Sequence, residues 1–382
     1  MREAMKGFVY RLKPTAKQMN LIHQTFGCVR KMYNTLLFER KTIYELFGKY
    51  PELLSSHDYM NPKYIKAHFP YMNDVDSQSL TTAWLNLKNA YSNFFNKSHK
   101  EPRYKSRHND IQSYTTHTTN NNIRIECSYV KLPKLGFVKI RLHRPLPKGS
   151  HITAATIKRE AGKYDVSLRI KYEQEMKQEK AFQRAIGLDY ALHGLYVDSE
   201  GNTADYPNYD KQSLDKLKRE QRILSRRVKG SSNYLKQKQR LSTLHRHIRN
   251  QRRDFLHKAS RYLVNNYDVI SIETLDLTEM AKTKHFRKSI SDTSFGTFTK
   301  YLEYKARDDG KTLIKIDTYY PSTKTCSKCG SVHDMPLTQR TYRCACGNVM
   351  DRDLNAAINI ARQGLLTYTQ EAYGIDVSNL VN

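Results

Sequence analysis

Along this chain, apolar positions first alternate with polar ones, then recur at intervals of three and four, then alternate again. The opening FVYRL alternates as a half-buried strand does, and Pro14, which has no backbone donor, ends it. From about Ala16 to Tyr50 the spacing is helical. A second helical run carries Leu80, Trp84, Leu87, Tyr91 and Phe94 or Phe95, with Ser77 or Ser79 as its cap. That aromatic stripe predicts core packing rather than chemistry. From about Ile111 to Tyr172 the pattern is strand-like: IRI, YVKL, FVKIRL, and a hairpin in TIKREAGKYDVSLRIKY with Gly162 in the turn. This predicts a small β-domain. The first strand could join it, which would make the helical block between them an insertion.

The second half reads differently. AIGLDYALHGLYVDSEGN places Asp189 at the end of a buried strand, followed by a second strand, LYV, and a turn at residues 199–202. Residues 211–262 predict an antiparallel helix pair bent near Gly230, with Leu241, Leu244, Ile248, Phe255 and Ala259 on one face. YDVISIETL then gives a strand ending at Glu273, SISDTSFGTFTKYLEYKARDDG a helix stopping at Gly310, TLIKI a buried strand, and LNAAINIAR a last helix. Single strands alternating with helices predict an α/β sheet domain from about Phe182. The end, TYTQEAYGIDVSNLVN, reads as a mobile tail.

Charge changes the picture. The chain has 382 residues, with 65 Lys and Arg against 37 Asp and Glu, a net charge of +28. An excess that large repels itself unless a polyanion neutralises it, so nucleic acid is the expected partner. Residues 211–262 hold 17 Lys or Arg and three acids, marking the helix pair as one platform. KSHKEPRYKSR is another: Lys97, Lys100, Arg103, Lys105 and Arg107 surround Tyr104, so a loop could follow phosphates and stack on a base. No stretch approaches the roughly 18 apolar residues of a membrane span, and MREAMKGFVYRLKP has no signal-peptide core. The expectation is a cytoplasmic protein with no membrane partner, whose thiols stay reduced and favour metal ligation over disulfides.

Four of the six cysteines fall in two knuckles, Cys326-x-x-Cys329-Gly330 and Cys344-x-Cys346-Gly347. Each knuckle lets two sulfurs reach one ion, and four thiolates make a closed tetrahedral zinc site, structural rather than catalytic. His333 is a secondary ligand candidate. Cys28 and Cys127 lie far away and read as small buried hydrophobes. Asp189, Glu273 and Asp353 end one strand, end another and open a helix. If the fold brings them together, these hard oxygen ligands suit Mg²⁺, and two such ions can activate water and stabilise the leaving oxygen of a phosphodiester. Asp351 is the lesser candidate.

GLDYA, ISIET, SISDTSFGTF with LEYKA, YPSTKTCSKCG and above all CGNVMDRDLNAAINI resemble the TnpB proteins of bacterial transposons, relatives of the type V CRISPR effector nucleases. PRYKSR, SYTT and KLPKLGFVKI are similar to that family too, so the resemblance covers nearly everything but the tail. It implies a multidomain α/β protein. A β-barrel wedge domain (1–13 and 111–180) would hold an inserted helical lobe (14–110). An RNase H-like, RuvC-type nuclease domain (181–322, final helix 349–366) would hold a zinc-binding insertion (323–348), with a tail at 367–382. The implied activity is RNA-guided cleavage of DNA in the bacterial cytoplasm by a monomer bound to one guide RNA. Asp189, Glu273 and Asp353 would be its catalytic, Mg²⁺-binding acids. Ser77, Gln78, Thr81 and Thr82 would read a short target-adjacent motif in double-stranded DNA. Arg226, Arg227, Arg252 and Arg253, with Lys97, Arg103, Lys105 and Arg107, are the remaining expected nucleic-acid contacts. The competing reading is a nuclease-inactive RNA-guided DNA-binding repressor; all three acids being present favours the nuclease.

Overall fold

The computed structural model describes residues 2–48, 61–175, 182–191, 194–280, 282, 293–336 and 339–374. They form two compact units that divide after Glu175.

In the first unit, β1 (Arg2–Lys13) stops at Pro14, and α1 (Ala16–Phe47) starts just beyond it. Thr15 caps α1 through a reciprocal pair of bonds with Gln18, which satisfies two otherwise orphaned donors. Ile22, Phe26, Val29, Met32, Leu36 and Leu37 recur along α1 and are buried. Next come α2 (Pro62–His68) and α3 (Ser77–Phe95). The cap of α3 is Asp76 and neither serine: its carboxylate accepts from the Ser79 N–H at 3.0 Å. Along α3, Leu80, Leu87 and Tyr91 are buried as the stripe predicts. Phe94 and Phe95, at its C-terminal end, are exposed.

Six further strands follow: β2 (Gln112–His117), β3 (Arg124–Glu126), β4 (Tyr129–Leu132), β5 (Gly136–Arg141), β6 (His151–Glu160) and β7 (Lys163–Gln174). Their order is β2-β6-β7-β1-β5-β4-β3, all antiparallel. The first strand therefore sits mid-sheet, and the helices are a sequence insertion between it and the rest. Glu160 pairs with Lys163 across Ala161 and Gly162, both at positive φ, as a two-residue hairpin turn requires. Cys127 occupies a similar turn between β3 and β4 at φ 50° and is exposed, whereas Cys28 is buried. The expectation of a second buried cysteine fails because a two-residue turn points outward.

In the second unit, β8 (Ala185–Ala191) pairs antiparallel with β9 (Leu195–Asp198) and parallel with β10 (Val269–Glu273), which pairs parallel with β11 (Thr312–Ile316). Asp268 gathers the starts of the parallel strands: its carboxylate accepts from the backbone N–H of Gln183 and Arg184 and from Lys311. The opposite ends of β8 and β10 carry Asp189 and Glu273. Between β9 and β10 lie α4 (Tyr209–Ser225) and α5 (Ser232–Asn266), turned at Gly230 (φ 88°). Helix α6 (Phe295–Asp309), ended by Gly310 at φ 65°, precedes β11.

After the cysteine segment, with its short strands β12 (Thr341–Arg343) and β13 (Val349–Asp351), α7 runs Arg352–Tyr373. Helix α7 lies so close to the sheet that a Cβ on Gly187 would stand 2.2 Å from the Ala357 carbonyl oxygen, and one on Gly364 1.8 Å from Ser271 Oγ. This approach fixes where Asp353 falls relative to β8. The predicted tail is a correction: residues 367–373 continue α7, Gly374 ends it, and the remaining tail positions lie outside the described residues. Tyr368 is held there by ring contacts with Phe182 and Tyr373. Among the described residues, no helix is long and apolar enough to cross a membrane.

Candidate active site

Register brings the first two acids together. Ile272 of β10 pairs with Leu188 of β8, so Glu273 and Asp189 are the next residues on neighbouring parallel strands. Asp353 enters from the first turn of α7. Asp189 is only 6% exposed. Burial pushes its carboxyl well above the usual carboxylate range, and repulsion from Glu273 and Asp353 pushes it further. Arg352 and the Tyr190 N–H pull against this. Burial also raises Glu273, partly offset by the Ser322 hydroxyl, which donates to Glu273 Oε1 at 2.6 Å. The three acids thus share one electrostatic field, a donor set suited to a hard divalent cation. Asp351 serves elsewhere, as the α7 cap: its Oδ1 accepts from the N–H of Asp353 (2.8 Å) and Leu354 (3.1 Å).

The four cysteine sulfurs are gathered more tightly. Cys326, Cys329, Cys344 and Cys346 lie within 4.8 Å of one another, and among the described residues they are the one metal-ligating group so close. The carboxylates do not form a set that compact; Asp353 is drawn to Arg352 Nε and NH2 (3.3 and 3.2 Å) and Arg340 NH1 (3.4 Å). Cys326–Cys346 and Cys329–Cys344 separations are 3.7 and 3.6 Å. Zinc–sulfur bonds of about 2.3 Å give a tetrahedral edge of about 3.8 Å, so the sulfurs fit that ion. Gly330 and Gly347 adopt φ of 77° and 83°, which the tight knuckles require. Burial raises the Cys326 thiol, but the backbone N–H groups of Cys329 and Lys328 and the Asn348 amide overcome this and hold it down at about 6. His333 stands beside the cluster, Nε2 3.2 Å from Cys344 Sγ.

The cysteine segment is fastened to the acids at two points. Ser322, at its entry, holds Glu273; Arg340, between the two knuckles, reaches Asp353. Buried amides of α7 grip its base. Asn355 accepts from the Ser327 N–H (2.9 Å) and donates to the Thr325 carbonyl (2.7 Å). Asn359 donates to the carbonyls of Ser322 (2.8 Å) and Thr325 (2.7 Å). Sequence reasoning missed Ser322, Arg340, Arg352, Asn355 and Asn359; the one available signal was that most of them fall inside the PSTKTC and DRDLNAAIN stretches.

The basic candidates divide. Arg226, Arg227 and Arg253 are exposed, as are most of the cations in residues 211–262. Arg252 is half-buried: its guanidinium pairs with Asp210 (2.8 Å) and donates to Tyr206 (3.3 Å). Lys97, Arg103 and Arg107 are exposed. Lys105 is exposed too, with its ammonium 4.0 Å from the Tyr33 ring centre, while Asn34 brackets its backbone N–H and carbonyl. Ser77 is exposed, whereas Gln78 and Thr81 are half-buried. Thr82 is 8% exposed and donates to the Gln78 carbonyl.

Comparison with known proteins places this geometry. Residues 167–284 match the OrfB model of the IS605 group, described as "Probable transposase". Residues 295–360 match a model described as "Cas12f1-like, TNB domain". A "Helix-turn-helix domain" model matches residues 1–49, which here are β1 and the single long helix α1. A Streptomyces pristinaespiralis protein named "Putative RNA-guided DNA endonuclease" is 34% identical over 370 residues, covering 96% of this chain and 90% of its own. The chain belongs to the TnpB family. A second relative, "Putative RNA-guided DNA endonuclease InsQ" of Escherichia coli (strain K12), is 28% identical over 94% of this chain and 92% of its own. Among solved structures, the Cas12f1 chain of a Cas12f1-sgRNA-target DNA complex aligns over 94% of this chain and 99% of its own, with TM-score 0.54 and 13% identity. At that identity the likeness concerns the fold.

Proposed function

We propose that this TnpB-family protein is an RNA-guided DNA endonuclease that hydrolyses phosphodiesters at Asp189, Glu273 and Asp353. The observation that carries this reading is the shared field of the three acids at one end of the β8–β10 pair. The second unit is RNase H-like in this reading, since a β8–β9 hairpin is followed by parallel β10 and β11 with helices between. The antiparallel sheet of the first unit is the wedge barrel, and its inserted helices are the recognition lobe. Divalent cations, Mg²⁺ above all, supply Lewis acidity and an activated water when bound. The chain's own part is to hold Asp189 on a rigid strand, orient Glu273 through Ser322, and deliver Asp353 on a capped helix. Zinc at the four cysteines braces the segment that touches both Glu273 and Asp353.

Guide RNA is the polyanion for the positive surface, and pairing with it selects the target strand. In the helix pair, α4 and α5 are tied by the Gln237 amide, which donates to the Glu220 carbonyl and carboxylate, so a rigid hairpin presents the cations. Reversing Lys216, Lys218, Arg226 and Arg227 to Glu is expected to abolish co-purified RNA at fixed salt; unchanged RNA would show that the hairpin is not the platform. The whole reading is tested with purified protein, its co-purified RNA, Mg²⁺ and a plasmid carrying the matching sequence. The expected result is a cut plasmid. Tight, sequence-matched binding without a cut would instead favour the repressor.

A further inference from the structure

We infer that Arg352 is a positioning residue for the acids: an internal counter-ion, tethered to the cysteine segment, that offsets their mutual repulsion until divalent cations take over that role. The inference rests on the reading of Asp189, Glu273 and Asp353 as a divalent-cation site.

Among the described residues, two cations pair with Asp353. Arg340 is 66% exposed at its side chain, where water weakens the pair it makes with Asp353. Arg352 is 12% exposed, deep enough for its charge to act through a poorer dielectric. Its guanidinium is used on two edges. Nε and NH2 both donate to Asp353 Oδ1, while NH1 donates to the Gln339 carbonyl at 3.2 Å. Its backbone N–H is bonded as well, to the Arg340 carbonyl at 2.8 Å. Asp351, the neighbouring acid, is spent on the helix cap. Arg352 also opposes the upward push on the Asp189 carboxyl. A planar fork can bridge a carboxylate and a carbonyl at once, which a lysine cannot do with the same geometry.

A counter-ion has a signature that a merely structural arginine lacks. It stabilises the metal-free protein and, by raising the net charge of the site by one unit, it opposes the arriving cation. Removing it should lower stability without divalent ions and tighten their binding. An arginine that only anchors the chain would lower stability equally with and without them.

The test is thermal unfolding of the zinc-loaded full chain, dialysed into Mg²⁺-free buffer without chelator, and across a Mg²⁺ titration, for wild type, Arg352→Gln and Arg352→Lys, each also combined with Asp189→Asn. The glutamine variant is expected to melt earlier without Mg²⁺, to gain more on adding Mg²⁺, and to reach half that gain at a Mg²⁺ concentration at least about threefold lower. The lysine variant, which keeps the charge and loses the fork, should fall between. In the Asp189→Asn background the loss without Mg²⁺ should shrink, because one of the repelling charges is gone. Additive losses without Mg²⁺ together with an unchanged Mg²⁺ gain would overturn the inference. If Mg²⁺ shifts no variant, wild type included, the divalent reading of the acids fails, and the non-additivity without Mg²⁺ still decides the counter-ion role.

Discussion

Asp189→Asn is expected to abolish cleavage and, without Mg²⁺ but with zinc retained, to make the protein harder to melt. The two effects have one cause. Burial and the neighbouring acids raise the carboxyl of Asp189 in the folded chain above its unfolded value. For an acid this means the folded state binds the proton more tightly than the unfolded state does. Above the folded pKa the ionised group therefore destabilises the fold, and the penalty fades as pH falls through the folded pKa toward the unfolded one. An asparagine keeps the shape and an oxygen for the Tyr190 N–H while removing the charge. Relief of about 1 kcal/mol would raise the melting temperature of a domain of about 200 residues by about 2–4 °C. Added Mg²⁺ should stabilise wild type and do much less for the variant. Cleavage should fall at least about 10³-fold, since the group that holds the cation is gone. Calorimetry of the zinc-loaded protein without and with Mg²⁺, beside a plasmid assay, checks both halves. A variant that melts earlier than wild type without Mg²⁺ would mean the carboxylate is a structural anchor instead.

Loss of zinc is expected to have the second largest effect, and to reach the acids through named bonds. Zinc binding is worth about 10–16 kcal/mol in zinc-finger peptides, comparable to the whole stability of a domain. Without it the four sulfurs have little reason to stay together: Cys329 and Cys346 are exposed, and short strands β12 and β13 are the segment's own regular structure. Loosening there removes support from Ser322, hence from Glu273, and from Gln339 and Arg340, hence from Asp353. Cys326→Ser should therefore lose its zinc, become open to protease within residues 323–348, and cleave DNA about 10- to 100-fold more slowly, the usual cost of losing support behind a metal site. Metal analysis, limited proteolysis and the plasmid assay check these together. A zinc-free variant with undiminished cleavage would show that the knot serves only itself.

How much of this was legible in the sequence depends on which residues carried a local signal. Asp189 and Glu273 close buried apolar runs, and Asp353 sits where a helix begins, so each was marked by its own neighbours. The knuckles were marked by spacing and glycine. Arg352 lies between two aspartates already singled out, but one arginine among 65 basic residues has no signal of its own. Ser322 and Asn355 act on partners 49 and 28 residues away, a relation that exists only after folding. The contact of Lys105 with the Tyr33 ring and the pairing of Arg252 with Asp210 are of the same kind. The tail misled for a different reason: TYTQEAY is polar enough to read as loose, yet α7 continues through it until Gly374, at φ 63°, ends the helix.

The most direct measurement is a density map of the protein–RNA complex in Mn²⁺, with anomalous scattering to mark the metal. Bound manganese coordinated by Asp189 and Glu273, with Asp353 drawn from its arginines onto the same site, is the expected result. Manganese absent from that end of β8 and β10, or held by one acid while the others stay paired elsewhere, would contradict it.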